Sequence, residues 1–167
     1  VIGLSDVGYD LTGWPEAQKR TPENLVDAQF SVHFMSAVAL RHGRLLWNDF
    51  VGDLHDPKTA DLMRRISAIR LAESVTKSGS RFRTNISIEL NDGSYLTRDT
   101  DLPKGEFGNF LTSLELRAKF RSLVSPCVGA AGEALLHVTI MNFENESVHD
   151  LFQRTMPATN LALAGED

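Results

Sequence analysis

Apolar positions recur three or four apart in some stretches of this chain and two apart in others, and that change of period predicts its elements. In "DAQFSVHFMSAVALRHG", Asp27 to Gly43, Phe30, Phe34, Ala37, Val38 and Arg41 fall on one helical face. Val32, Met35, Ser36, Ala39 and Leu40 share the other. An apolar arc that wide predicts a helix buried on both sides. Ser31 is placed to cap its first turn, Arg41 and His42 sit at the negative pole, and Gly43 is free to take the left-handed stop. Ser36, Ala37 and Ala39 are small enough to let another element approach closely. A second, amphipathic helix follows in "HDPKTADLMRRI", with Asp56 as cap, Pro57 in first position, and Leu62 and Ile66 one turn apart.

The period then shortens to two. In "FRTNISIELNDGSYLTRDT", Phe82, Thr84, Ile86, Ile88 and Leu90 alternate with Arg83, Asn85, Ser87 and Glu89. Asn91-Asp92-Gly93 supplies the positive φ that a hairpin needs. "SAIRLAES", Ser67 to Ser74, adds a third strand, and "VIGLSDVGYDL" holds one short strand at the start. "TGWPEAQKRTPEN" reads as a connecting loop. The expectation is an α+β layer: a small antiparallel sheet, polar on one face and covered by the two helices on the other.

Beyond the glycine-bearing loop "PKGEFGN" the pattern is helical again. Thr112 and Glu115 have capping-box spacing ahead of Leu116, Phe120 and Leu123. Ala130 to about Asn142 continues the pattern, Ser147 and Asp150 open a short helix, and "NLALAGED" reads as a frayed tail. The chain therefore divides into an α+β part, residues 1–105, and a helical part, residues 106–167. The helical part has apolar faces but little sheet to cover, and the chain opens on Val1 as if inside a domain. A portion of a larger protein is expected.

Composition narrows the function classes. Apolar residues make up 42% and charged residues 23% of the 167 positions, the balance of a globular chain. With 17 Lys plus Arg against 22 Asp plus Glu, the net charge is −5, and no basic run offers a phosphate-backbone footprint, so nucleic acid is not an expected partner. The apolar runs are too short to cross a bilayer, so neither is a membrane. The one cysteine, Cys127, excludes an intrachain disulfide and multi-cysteine metal sites, in keeping with a cytoplasmic location.

No self-contained catalytic motif is present: no nucleophile elbow, no phosphate loop, no His-Glu-x-x-His. The five histidines, at 33, 42, 55, 137 and 149, lack metal-ligand spacing. His42, His55 and His149 read as solvated. His33 differs, because it sits where first-turn N–H groups favour an anion, and an imidazole there is placed to help hold a carboxylate. The structural alternative is that it satisfies a backbone group at the start of a buried helix. Lys104, between Pro103 and Gly105, is a candidate cation near a cleft.

Ala28, Phe30, Ser31, Phe34, Ala39, Leu40 and Gly43, then Asp92 and Gly93, then Pro103, Lys104, Gly105 and Asn109, and finally Lys119 and Phe120 occur in an order that resembles the C-terminal half of the MmgE/PrpD family. That family includes 2-methylcitrate dehydratase, cis-aconitate decarboxylase and an iminodisuccinate epimerase. The resemblance spans about residues 20 to 125. It implies a two-domain homodimeric enzyme with a substrate cleft between a large helical domain and a smaller α+β lid, and catalytic residues mostly upstream of this chain. It implies a small polycarboxylate substrate, bound here by Ser31, His33, Phe34 and Lys104, and chemistry that needs no cofactor or metal. Two positions depart from the family pattern. Phe34 replaces a tyrosine of the decarboxylase branch and cannot donate a hydrogen bond, and Phe110 stands where a proline is usual. Dehydration is the first expectation. The alternative is a non-catalytic α+β interaction or oligomerisation module.

Overall fold

The computed structural model describes residues 1–72 and 82–155. The chain divides into two compact units, Val1–Phe110 and Leu111–Asp167.

The first unit is built on a four-stranded sheet of order β2-β1-β3-β4. Its strands are β1 (Ile2–Leu4), β2 (Ala68–Arg70), β3 (Thr84–Glu89) and β4 (Tyr95–Thr100). The hairpin lies where the alternation places it, with Glu89 opposite Tyr95 and Thr84 opposite Thr100. The sheet is mixed rather than antiparallel, because β2 pairs with β1 in parallel, Ile2 opposite Ala68. A parallel pair needs a long crossover, and here the crossover is the whole helical layer between residues 5 and 67. Ile2, Leu4 and Ile86 face that layer, whereas Gly3 and Asn85 alternate to the other side. A Cβ at Gly3 would stand 2.5 Å from the end of the Leu71 side chain, so a larger residue there would require that side chain to shift.

The crossover holds α1 (Asp6–Gly8), a π-helical turn at Tyr9–Gly13, α2 (Glu16–Lys19), α3 (Leu25–Gln29), α4 (Val32–His42), α5 (Trp47–Asp53) and α6 (Pro57–Arg65). The stretch read as a connecting loop thus contains α2. Its helix has a single turn and begins at Pro15 with no side-chain cap, which leaves no periodicity to detect. Helix α5 also starts without a polar cap residue; the Asp49 carboxylate accepts from Leu46 N–H instead. Helices α4 and α6 follow the sequence reading closely. Ser31 Oγ accepts from Phe34 N–H at 3.0 Å, Gly43 takes φ 66°, and Asp56 Oδ1 accepts from Lys58 N–H at 2.7 Å.

The core gathers Ile2, Leu4, Ala28, Val32, Phe34, Ala37, Val38, Phe50, Met63 and Ile66. Phe34 has no exposed surface, and its ring packs 5.7 Å from that of Phe50. The second face of α4 is less covered than its breadth suggests: Leu40 is exposed, and Ser36, Ala39 and Leu40 line an apolar groove with Ile66, Ile86 and Ile88.

In the second unit, α7 spans Ser113–Met141 and α8 spans Val148–Thr155, with a short 3-10 turn at Phe143–Asn145. Thr112 and Glu115 form the capping box: Thr112 N–H donates to Glu115 Oε2 at 2.8 Å and Glu115 N–H to Thr112 Oγ1 at 3.2 Å. By length and composition α7 is long and apolar enough to cross a membrane, contrary to the short runs read from the sequence. Gly129, at φ 74° and ψ 171°, breaks it. Neither piece reaches the roughly 20 continuous residues that a bilayer requires. The pieces are tied by an ion pair of Arg117 with the buried Glu133. The tail "NLALAGED" lies outside the described residues, as do the last two residues of "SAIRLAES".

Candidate functional site

The start of α4 is where local sequence builds an unusual environment. Ser31 is fully buried and uses its hydroxyl twice, accepting from Phe34 N–H and donating to the Lys19 carbonyl. That second bond ties the end of α2 to the first turn of α4. Against the same turn lies a pair from α2 and the residue after it: Arg20 donates from Nε and Nη2 to Glu16 Oε1 at 2.9 and 2.7 Å. Arg20 Nη1 donates to the Met63 carbonyl at 2.6 Å, so one guanidinium braces α2 against α6.

His33 projects from this turn with no exposed surface. Neither ring nitrogen has a hydrogen-bond partner. The nearest charged atom, Glu16 Oε1, stands 3.7 Å from Nε2, beyond hydrogen-bond reach. Burial, and then the Arg20 charge, lower the His33 pKa; Glu16 opposes both. The imidazole is therefore held neutral at pH 7, with one N–H to give and one lone pair to accept. Buried polar atoms are nearly always satisfied, so a fully buried ring with two idle nitrogens marks this turn for attention.

An open cleft of about 510 Å³ is lined by Leu11, Gln18, Lys19, Thr21, Glu23, Val26, Asp27 and Phe30, so two carboxylates face one lysine there, and His33 is not part of its wall. Lys19 and Phe30 connect it to Ser31, the one through its carbonyl and the other through the chain. Size and mixed lining suit a small polar molecule with an apolar portion.

Of the four residues read as substrate-binding, Ser31, His33 and Phe34 share this turn. Phe34 points into the core against Phe50. Lys104 is exposed on the loop after β4, in a tight turn where Gly105 N–H donates to the Asn109 carbonyl at 2.8 Å and Gly105 takes φ 100°. Phe110, in the position where proline is usual, packs edge-on against Phe107, ring centroids 5.8 Å apart.

The sequence offered no sign of Glu16 and Arg20, because nothing local relates them to residue 33. His42 is exposed, as read, but its partner was missed. Its Nε2 meets the buried Asp53 Oδ2 at 2.7 Å. Asp53 Oδ1 accepts from Thr59 and Arg41 as well, so a four-residue knot closes the far end of α4 on α5 and α6. The signal was tertiary. Among the described residues no group of three His, Cys, Asp or Glu is arranged to hold a metal.

No curated protein sequence was found to match the chain. The MmgE/PrpD C-terminal domain, however, matches residues 1–145, which takes in the whole sheet, the α4 turn and all of α7. The chain therefore belongs to the MmgE/PrpD family and carries its C-terminal domain.

Proposed function

We propose that this domain serves an enzyme that acts on a small di- or tricarboxylate by removing a proton next to a carboxylate, with loss of water as the outcome, as in a 2-methylcitrate dehydratase. In such a step a base takes the α-proton, the electron pair forms the C=C bond, and the C–O bond breaks as protonated hydroxide leaves as water. A developing carbanion beside a carboxylate needs fixed positive potential. The observation that carries the reading is the first turn of α4, with Ser31 immobilised and His33 buried, neutral and unpartnered. The His33 ring at that helix start is suited to a substrate carboxylate, and Lys104 is the cation of the reading. The base and acid are assigned to the rest of the enzyme, a cytoplasmic homodimer without cofactor. Phe34 speaks against decarboxylation of the kind that uses a tyrosine there.

A second reading, an interaction module, has its own support. Leu114, Met141, Phe143, Val148 and Phe152 of the second unit are all exposed, more apolar surface than a self-contained segment of this size usually shows. One experiment separates the two. The polypeptide that carries this domain is incubated with 2-methylcitrate, cis-aconitate and related acids in deuterated water and followed by proton NMR. Turnover or deuterium incorporation is expected, and the product names the reaction. A folded protein silent across the panel overturns the enzyme reading and leaves the module.

A further inference from the structure

The Glu16–Arg20–His33 cluster permits a step beyond this, which rests on the carboxylate-binding reading of the same turn. A carboxylate already sits in front of α4: that of Glu16, gripped by Arg20 through two nitrogens on one oxygen and 3.7 Å from the His33 ring. The arrangement is incomplete from both sides. His33, without exposed surface, has no hydrogen bond at either nitrogen, and Glu16 is half-exposed, with 44% of its side chain open to solvent. A guanidinium is shaped to hold both oxygens of a carboxylate, one on each fork. Here one Glu16 oxygen takes both bonds.

We propose that Arg20 and His33 form a carboxylate site in which Glu16 is the stand-in, and that a small di- or tricarboxylate displaces Glu16 into solvent. The incoming carboxylate takes the Nε–H and Nη2–H of Arg20 and accepts from the ring N–H of His33. Arg20 keeps its bond to the Met63 carbonyl throughout, so the guanidinium is held in place while its partner changes. The exchange leaves one carboxylate group on Arg20 before and after. It also satisfies a nitrogen that is otherwise idle, which favours the ligand over Glu16.

The test is a titration of the whole chain with citrate, followed by the imidazole nitrogen resonances of His33 and the Nε–H resonance of Arg20. Both are expected to shift and saturate together. Glu16→Gln removes the competing charge and is expected to tighten citrate binding about tenfold, since apparent affinity scales with the fraction of sites open. Arg20→Lys, which loses the fork, is expected to weaken it about tenfold. Glu144→Gln makes the same change of net charge in the second unit and is expected to leave affinity unchanged. Equal tightening in Glu16→Gln and Glu144→Gln, or a wild-type titration that leaves His33 and Arg20 unmoved, overturns the proposal. The wild-type titration decides the matter even if a variant does not fold. If the site binds citrate while the enzyme turns over no acid in the panel, the site stands and the dehydratase reading falls. Turnover with an unperturbed His33 has the reverse meaning.

Discussion

The two units solve the problem of burial in different ways. In the first, α4 buries Val32, His33, Phe34, Ala37 and Val38 within eleven residues and joins one apolar core with the sheet. In the second, the 29 residues of α7 bury only Glu133, Leu136 and Thr139, two of them polar. Glu133 is paired with Arg117, and Thr139 accepts from Arg154. Ion pairs and hydroxyl bonds fix geometry but contribute little net stability, whereas buried apolar area is the main term that offsets chain entropy. The first unit has the means to fold by itself, and among its described residues the second has no buried apolar cluster.

The sharpest way to break this comparison is to separate the units. Residues 1–110 alone are expected to unfold cooperatively in urea, while residues 111–167 alone are expected to lose helicity without a cooperative transition. Equal cooperativity in both would dissolve the distinction. Single substitutions probe it next. Phe34→Ala is expected to cost about 3–5 kcal/mol, the usual range for emptying a buried aromatic site. Leu114→Ala, at a residue 83% exposed, is expected to stay within about 0.5 kcal/mol, and urea midpoints report both.

The smallest effect is in pH. Because the folded state holds the His33 pKa below its ordinary 6.5, the unfolded chain takes up the proton first as pH falls. Stability from this residue is complete above about pH 7.5 and is lost progressively as the pH falls below 6.5, levelling off once it is below the folded pKa. The His33→Gln variant should lack that part of the slope in urea titrations between pH 7.5 and 5. An unchanged slope would mean that His33 does not meet the environment described.

How much of this was readable in the sequence depended on how local the cause was. Helices α4 and α6 carry their own stop and start signals in Ser31, Gly43, Asp56 and Pro57, and the β3–β4 hairpin is set by alternation around Asn91-Asp92-Gly93. These elements fall where expected. The parallel pairing of β1 with β2 was not readable, since three-residue strands separated by six α-helices and a π-helical turn leave no local trace of direction. Helix α2 was too short to show a period. The candidate site was half legible: Ser31 and His33 announce a helix start, but the partners that make His33 unusual, Glu16 and Arg20, come from a stretch that reads as a loop. Adding a hydroxyl at Phe34 also looks different once the ring is seen in the core. Phe34→Tyr buries a donor that must find an acceptor, so its effect on turnover cannot be separated from its effect on packing without the urea midpoint beside it.

The Ser31 hydroxyl has a further consequence, which is one of valence. An alcohol owns a single proton, and here that proton is given to the Lys19 carbonyl while a lone pair takes Phe34 N–H. A carboxylate group arriving at this turn has only acceptors to offer, so it competes with the Lys19 carbonyl for a proton already in use. Ser31 thereby behaves as a fixture of the frame, and the side-chain donor that the turn leaves for an anion is the ring of His33.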